Sequence, residues 1–124
     1  MYDKELVLEI LRQIKAAADK ILQRFQGIEN PEFFVNSVAG NEKLDAICMQ
    51  LIVLGEDLKN LDKVTNKELL AQYPQIDWRG AKAMRDVISH DYSNIDAEAV
   101  YFVCKEKVQP LKYTIEKIIS DINQ

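Results

Sequence analysis

NEKLDAICMQLIVLGEDLKNL, Asn41 to Leu61, decides the fold. Its apolar residues Leu44, Ile47, Cys48, Leu51, Leu54, Leu58 and Leu61 recur at spacings of three and four, which puts them along one stripe of an α-helix. A β-strand would need strict alternation, and none is sustained here or anywhere else in the chain. Gly55 falls inside the helix, where glycine costs roughly 1 kcal/mol relative to alanine. A close crossing with a second helix is the physical reason to expect one there.

The same periodicity organises the flanking sequence. Upstream, Tyr2 to Phe25 reads as a long helix carrying Leu6, Ile10, Ile14, Ala17, Ile21 and Phe25, ended by Gly27. Asn30-Pro31 restarts a short helix with Asn as cap and Pro at the first helical position, delivering Phe33-Phe34. Downstream, Thr65-Asn-Lys-Glu68 has the spacing of a capping box, predicting a short helix from Glu68 to Tyr73 stopped by Pro74. Asp77 caps a helix beginning at Trp78, with Ala81, Met84, Val87 and Ile88 on one side. His90 to Asp96 is rich in turn formers, and Asp96 or Asn94 caps the last long helix, whose apolar residues include Val100, Val103, Cys104, Val108, Leu111, Ile115, Ile118 and Ile122. Pro110 should kink or split that helix. The expectation is all-α: an up-and-down bundle of four to five main helices plus short ones, in a single domain over 1–124.

Composition agrees. The chain is 48% hydrophobic and 29% charged, the balance of a helical protein with a real core. A net charge of −4 means that the overall field repels nucleic acid, so RNA would need a local basic patch. Cys48 and Cys104 lie in apolar helical stretches without metal-ligand spacing and read as buried thiols in a reducing compartment. The N-terminal stretch carries charges throughout, unlike a signal peptide or anchor, and the chain reads as cytoplasmic.

Chemistry concentrates in Arg85-Asp-Val-Ile-Ser-His90-Asp-Tyr92. His90 is the only histidine, and imidazole is the one side chain that ordinarily titrates near neutrality. On an unbroken helix Arg85 and His90 point about 140° apart, whereas Arg85 and Tyr92 nearly coincide. Convergence of Arg85 and His90 on one phosphate therefore requires the helix to end or loosen near Ser89–His90. Arg79, Lys82 and Arg85 together form a local basic patch, with Arg79 and Lys82 as candidate RNA contacts. A bland account competes: His90 as a partner for the helix dipole, Arg85 paired with Asp86 or another carboxylate, Tyr92 as a core ring.

Other chemistries are thinner. A carboxylate-bridged di-metal bundle needs two Glu-x-x-His pairs, which one histidine cannot supply, and no metal or cofactor is expected. There is no glycine-rich phosphate loop. Ser89 and His90 are adjacent and so face apart on a helix. Glu56 and Asp57 read as part of a solvated charged face.

The stretch from Leu51 to Leu111 resembles the HepT-like branch of the HEPN superfamily, the toxin half of HEPN/MNT toxin–antitoxin pairs. The features that carry the resemblance are Gly55-Glu56, Tyr73-Pro74, Ile76-Asp77-Trp78-Arg79, Met84-Arg85, His90-Asp91-Tyr92, Ile95-Asp96 and Pro110. They cover about half the chain closely, and the preceding helices fit the same bundle. The resemblance implies a homodimeric, metal-independent ribonuclease with two Arg-x4-His-x-Tyr motifs facing one cleft. It places Arg85 and His90 at the catalytic positions. Tyr92 falls where a partner MNT-type nucleotidyltransferase, the antitoxin, attaches AMP. Asp86 departs from the pattern, since the residue after the motif arginine is most often Asn. The alternative is a non-catalytic helical module that binds a nucleotidyltransferase or its substrate.

Overall fold

A computed structural model describes residues 2–124, and it is all-helical as the periodicity requires. Helix α1 spans Lys4–Phe25, α2 Val38–Val64, α3 Trp78–His90, α4 Ala97–Phe102 and α5 Val108–Ile122. Helix α1 packs against both α2 and α5, and α3 packs on the other side of α2. The resulting core is continuous, with Ile14, Ile21, Phe34, Ile47, Leu58, Leu61, Ile88 and Ile115 all sealed from water. No helix among the described residues is long and apolar enough to cross a membrane.

Local chemistry sets the boundaries. Asp3 caps α1 by accepting from the Leu6 amide, and Gly27, at φ 81°, turns the chain out of it. The buried face of α1 runs through Val7, Ile14 and Ile21, so Leu6, expected inside, sits at its rim and is 39% exposed. The turn at Pro31–Phe34 is a 3-10 helix with Asn30 as its cap, and it buries Phe34 while leaving Phe33 half in water. Helix α2 starts earlier than the apolar stripe predicts, because Ser37 caps it by accepting from the Gly40 amide.

Two other expectations need correction. Thr65 opens no helix: it closes α2, with its buried hydroxyl donating back to the Leu61 carbonyl at 2.8 Å. Asn66 and Lys67 follow in the left-handed region, at φ 55° and 62°, and only a 3-10 turn at Leu70–Gln72 remains of the predicted short helix. Val87 lies outside the core face of α3 and is 60% exposed.

The last helical run is split as Pro110 predicts, but upstream of the proline itself. Residues Val103–Lys107 form a π-helical turn between α4 and α5, in which the Val108 amide donates to the Val103 carbonyl. Proline has no N–H, and its ring crowds the carbonyl four residues back, at Glu106, so the wider turn relieves that strain. It also explains the core spacing: Val100, Cys104 and Val108 are all buried at successive intervals of four. Each interval of four runs about 40° past a full turn of an ordinary helix, and the wider turn takes up that drift.

Candidate functional site

Asp77 starts α3 by accepting from the Gly80 amide at 2.9 Å, and the helix then carries the motif on two sides. Its inner side packs on α2 at Gly55. A Cβ on Gly55 would lie 2.7 Å from the Arg85 Cβ, so the expected close crossing falls at the motif arginine. Here glycine is a positioning device: it lets the Arg85 backbone approach α2 and fixes where the guanidinium begins.

That guanidinium does not stand free. Its Nη1 donates to Asp86 Oδ1 at 3.0 Å, and its Nε forms an ion pair with Glu56 that lacks the alignment of a hydrogen bond. The bond to Asp86, with the Glu56 charge added, raises the Arg85 pKa further. Glu56 is therefore a partner of the motif arginine, not the solvated charge that its helical position alone implies. Its neighbour Asp57 is also partly withdrawn from water, and burial raises its pKa. Asp86 in turn receives both carboxylate contacts of Lys59, at 3.0 Å each, and these hold its pKa below the ordinary range. Four alternating charges, Glu56, Arg85, Asp86 and Lys59, thus bridge α2 and α3. Periodicity gives no hint of this chain, because it spans two helices.

Arg85, Asp86, Val87, Ser89 and His90 line one shallow, open depression on α3. The helix continues unbroken through His90, with Asp91 as its C-cap. No loosening precedes His90, so Arg85 and His90 leave the helix in directions about 140° apart. They border the same depression without converging on a point within one chain.

Tyr92 begins the 3-10 turn Tyr92–Asn94 that follows. Its ring is 37% exposed, but its hydroxyl is engaged, donating to the exposed carboxylate of Asp45 on α2. Partial burial, reinforced by the Asp45 bond, raises the phenol pKa. Behind it sit Cys48 and Cys104, both free and buried, whose thiols burial pushes up to about 12. They are packing residues, as expected from their setting.

The two remaining candidates differ. Arg79 is exposed, whereas Lys82 is ion-paired with the buried carboxylate of Asp62 and so is not an unencumbered cation. A separate cleft of about 480 Å³ between α2, α3 and α5 lies apart from this chemistry. Leu51, Leu54, Met84 and Leu111 line it, and none of the motif residues Arg85, His90 or Tyr92 reaches it.

Similar proteins agree with this frame. Three proteins of Methanocaldococcus jannaschii, each named "Putative RNase", are 30%, 32% and 30% identical to the chain. The first two alignments cover 90% of this chain and 91% of the relative, and the third covers 91% and 97%. No solved structure gives a significant match. The family described as "Ribonuclease HepT-like" matches residues 5–118. With nearly its whole length matched, the chain belongs to the HepT-like family.

Proposed function

We propose that this protein is a metal-independent endoribonuclease, the toxin of a toxin–antitoxin pair, acting as a homodimer in the cytoplasm with Arg85 and His90 as its catalytic residues. The observation that carries the reading is that these two side chains border one open depression in a chain of the HepT-like family. Attack of the ribose 2′-oxygen on the adjacent phosphorus forms one P–O bond and breaks the bond to the 5′-oxygen. The 2′-hydroxyl must lose a proton and the departing 5′-oxygen must gain one. Imidazole serves either role, contributing about 10²- to 10⁴-fold. A guanidinium stabilises the charge that gathers on the non-bridging oxygens. Each chain has one histidine, and Arg85 and His90 diverge within a chain. A second copy facing the first supplies both the missing acid–base group and the convergence.

Regulation by a partner nucleotidyltransferase fits the setting of Tyr92. Attack of the phenol oxygen on the α-phosphorus of ATP forms Tyr-O-AMP and releases pyrophosphate. Asp45, which already accepts from the hydroxyl, is placed to take the proton. The adduct brings an anion near the motif, where it repels RNA and competes for Arg85.

One observation favours a second reading, a non-catalytic module that binds the nucleotidyltransferase or its substrate: Arg85 is already held by two carboxylates. A single experiment separates the two. Purified protein is incubated with RNA in excess EDTA, beside Arg85→Ala, His90→Ala and Tyr92→Phe variants. Cleavage by the wild type and by Tyr92→Phe, with loss of at least 100-fold in the other two, is the expected result. Activity that persists in His90→Ala, or its absence from the wild type, sinks the catalytic reading. Intact mass after co-expression with the nucleotidyltransferase should show added AMP on the wild type and none on Tyr92→Phe.

A further inference from the structure

At the far end of the α2–α3 crossing the structure holds a second concavity, bounded by the last turn of α2, the left-handed turn after it and the first turns of α3. Lys59, Lys63 and Lys67 line it from one side, and Arg79 and Lys82 from the other. Two carboxylates, Asp62 and Asp86, are also present, and each is already matched: Asp62 by Lys82, Asp86 by Lys59. Lys63, Lys67 and Arg79 are left exposed, with no carboxylate within ion-pair distance among the described residues. On a chain of net charge −4, three unmatched cations around one groove are a local reversal of field.

The groove joins the candidate site. Asp86 stands in the wall of both concavities, so a strand lying against Arg85 and His90 can continue past Asp86 into the lysine-lined end. Lys59 and Lys63 are one turn apart on α2, about 6 Å along its axis. Lys67 owes its position to the turn: its φ of 62° sends the chain back across the end of α2, and its amide donates to the Asp62 carbonyl at 2.8 Å. The turn thus adds a third cation to the row instead of letting the chain run on from α2.

We infer that this groove is a subsite for the backbone of single-stranded RNA, in which Lys63, Lys67 and Arg79 bind phosphates of the strand extending from the Arg85–His90 depression. The inference rests on the ribonuclease reading and gives its substrate a path. Lys59 and Lys63 stand one turn apart along one side of the groove, a short row of cations that follows one backbone. Contacts to phosphates alone position a strand without reading its sequence. The subsite therefore sets affinity and the minimum length of substrate, not base preference.

The test uses the full-length chain in a His90→Ala background, so that RNA stays intact. Binding of a fluorescent single-stranded 12-mer oligoribonucleotide is measured by anisotropy over a range of salt concentrations. The groove variant is Lys63→Gln/Lys67→Gln, and the control is Lys105→Gln/Lys107→Gln, which removes the same charge outside the groove. Each phosphate contact contributes about −0.7 to the slope of log K against log salt for a single strand. The groove variant should therefore have a slope shallower by about 1.4 and bind at least tenfold more weakly at low salt, with an unchanged melting temperature. The control should match the parent. Equal slopes in the groove variant and the control overturn the subsite while leaving the ribonuclease reading intact. This holds even if the groove variant loses the nucleotidyltransferase, an outcome that would assign the lysines to that protein instead. Absence of RNA binding by the parent at every salt concentration overturns both.

Discussion

In the proposed mechanism Arg85 stands between two demands, since the guanidinium assigned to the phosphate is held by Glu56 and Asp86. All of these groups are substantially exposed, so the pairs are weak and exchangeable, and an incoming phosphodiester competes on even terms. Of the two carboxylates, Asp86 is the one hydrogen-bonded to the guanidinium. Asp86→Asn removes one anion from the depression, frees Arg85 on that side and releases Lys59 toward the groove. The expected outcome is RNA affinity raised several-fold at low salt and cleavage at least as fast as wild type, read from single-turnover kinetics. Slower cleavage would mean that Asp86 aims the guanidinium. Tyr92 shows the limit of sequence at this scale. Its place on a short connection was legible, but the partner of its hydroxyl was not. Asp45, 47 residues earlier, holds it through a contact that no local pattern encodes.

Helices were legible wherever one stripe of apolar residues faced one core, as in α1, α2 and α3. Gly55 was legible too, because a residue costly to a helix implies a neighbour that needs the space. Gly55→Ala is therefore a sharp test of the element packing. The added methyl gains helix propensity of about 1 kcal/mol but meets the Arg85 Cβ, which cannot rotate away. Overpacking of this kind costs about 1–3 kcal/mol, so thermal unfolding should show a net loss of up to about 2 kcal/mol. RNA cleavage should fall further than stability does, because Arg85 is displaced. Unchanged stability and activity would show that α2 and α3 separate freely. The Thr65 turn was misread for a physical reason: a hydroxyl can accept from an amide ahead or donate to a carbonyl behind. Spacing to Glu68 does not decide between them. Burial of Thr65 at the end of α2 does, and burial is a tertiary fact.

At the scale of the whole molecule, net acidity is compatible with the proposed RNA binding because charge is sorted by location, not because the total is favourable. The sorting follows from α2 and α3 crossing, so Arg79 and Lys82 were visible in sequence while their companions on α2 were not. A second tie across the molecule makes stability depend on pH. The Tyr73 hydroxyl donates to Asp121 on α5 at 2.7 Å, lowering the Asp121 pKa, while burial and that bond raise Tyr73 to about 12. Asp121 favours the fold above its unfolded value of 3.8, an advantage lost as pH falls through the lower folded value. Tyr73 adds stability below pH 10 that is lost as pH rises toward 12. Tyr73→Phe should flatten both limbs of a stability–pH curve, and a curve unchanged at either limb would show that the bond contributes nothing there. The π turn has a different implication. It gives the bundle one spare residue, because the buried faces before and after it are aligned only by a turn holding more residues than usual. Removing exposed Glu106 together with Pro110→Ala should therefore leave a straight helix with the same faces inward and a cooperative melt. Deleting Glu116 from α5 turns everything beyond it by about 100° and should leave the chain unable to close its core. In length, as distinct from composition, this protein has slack at a single known place in its last helical run.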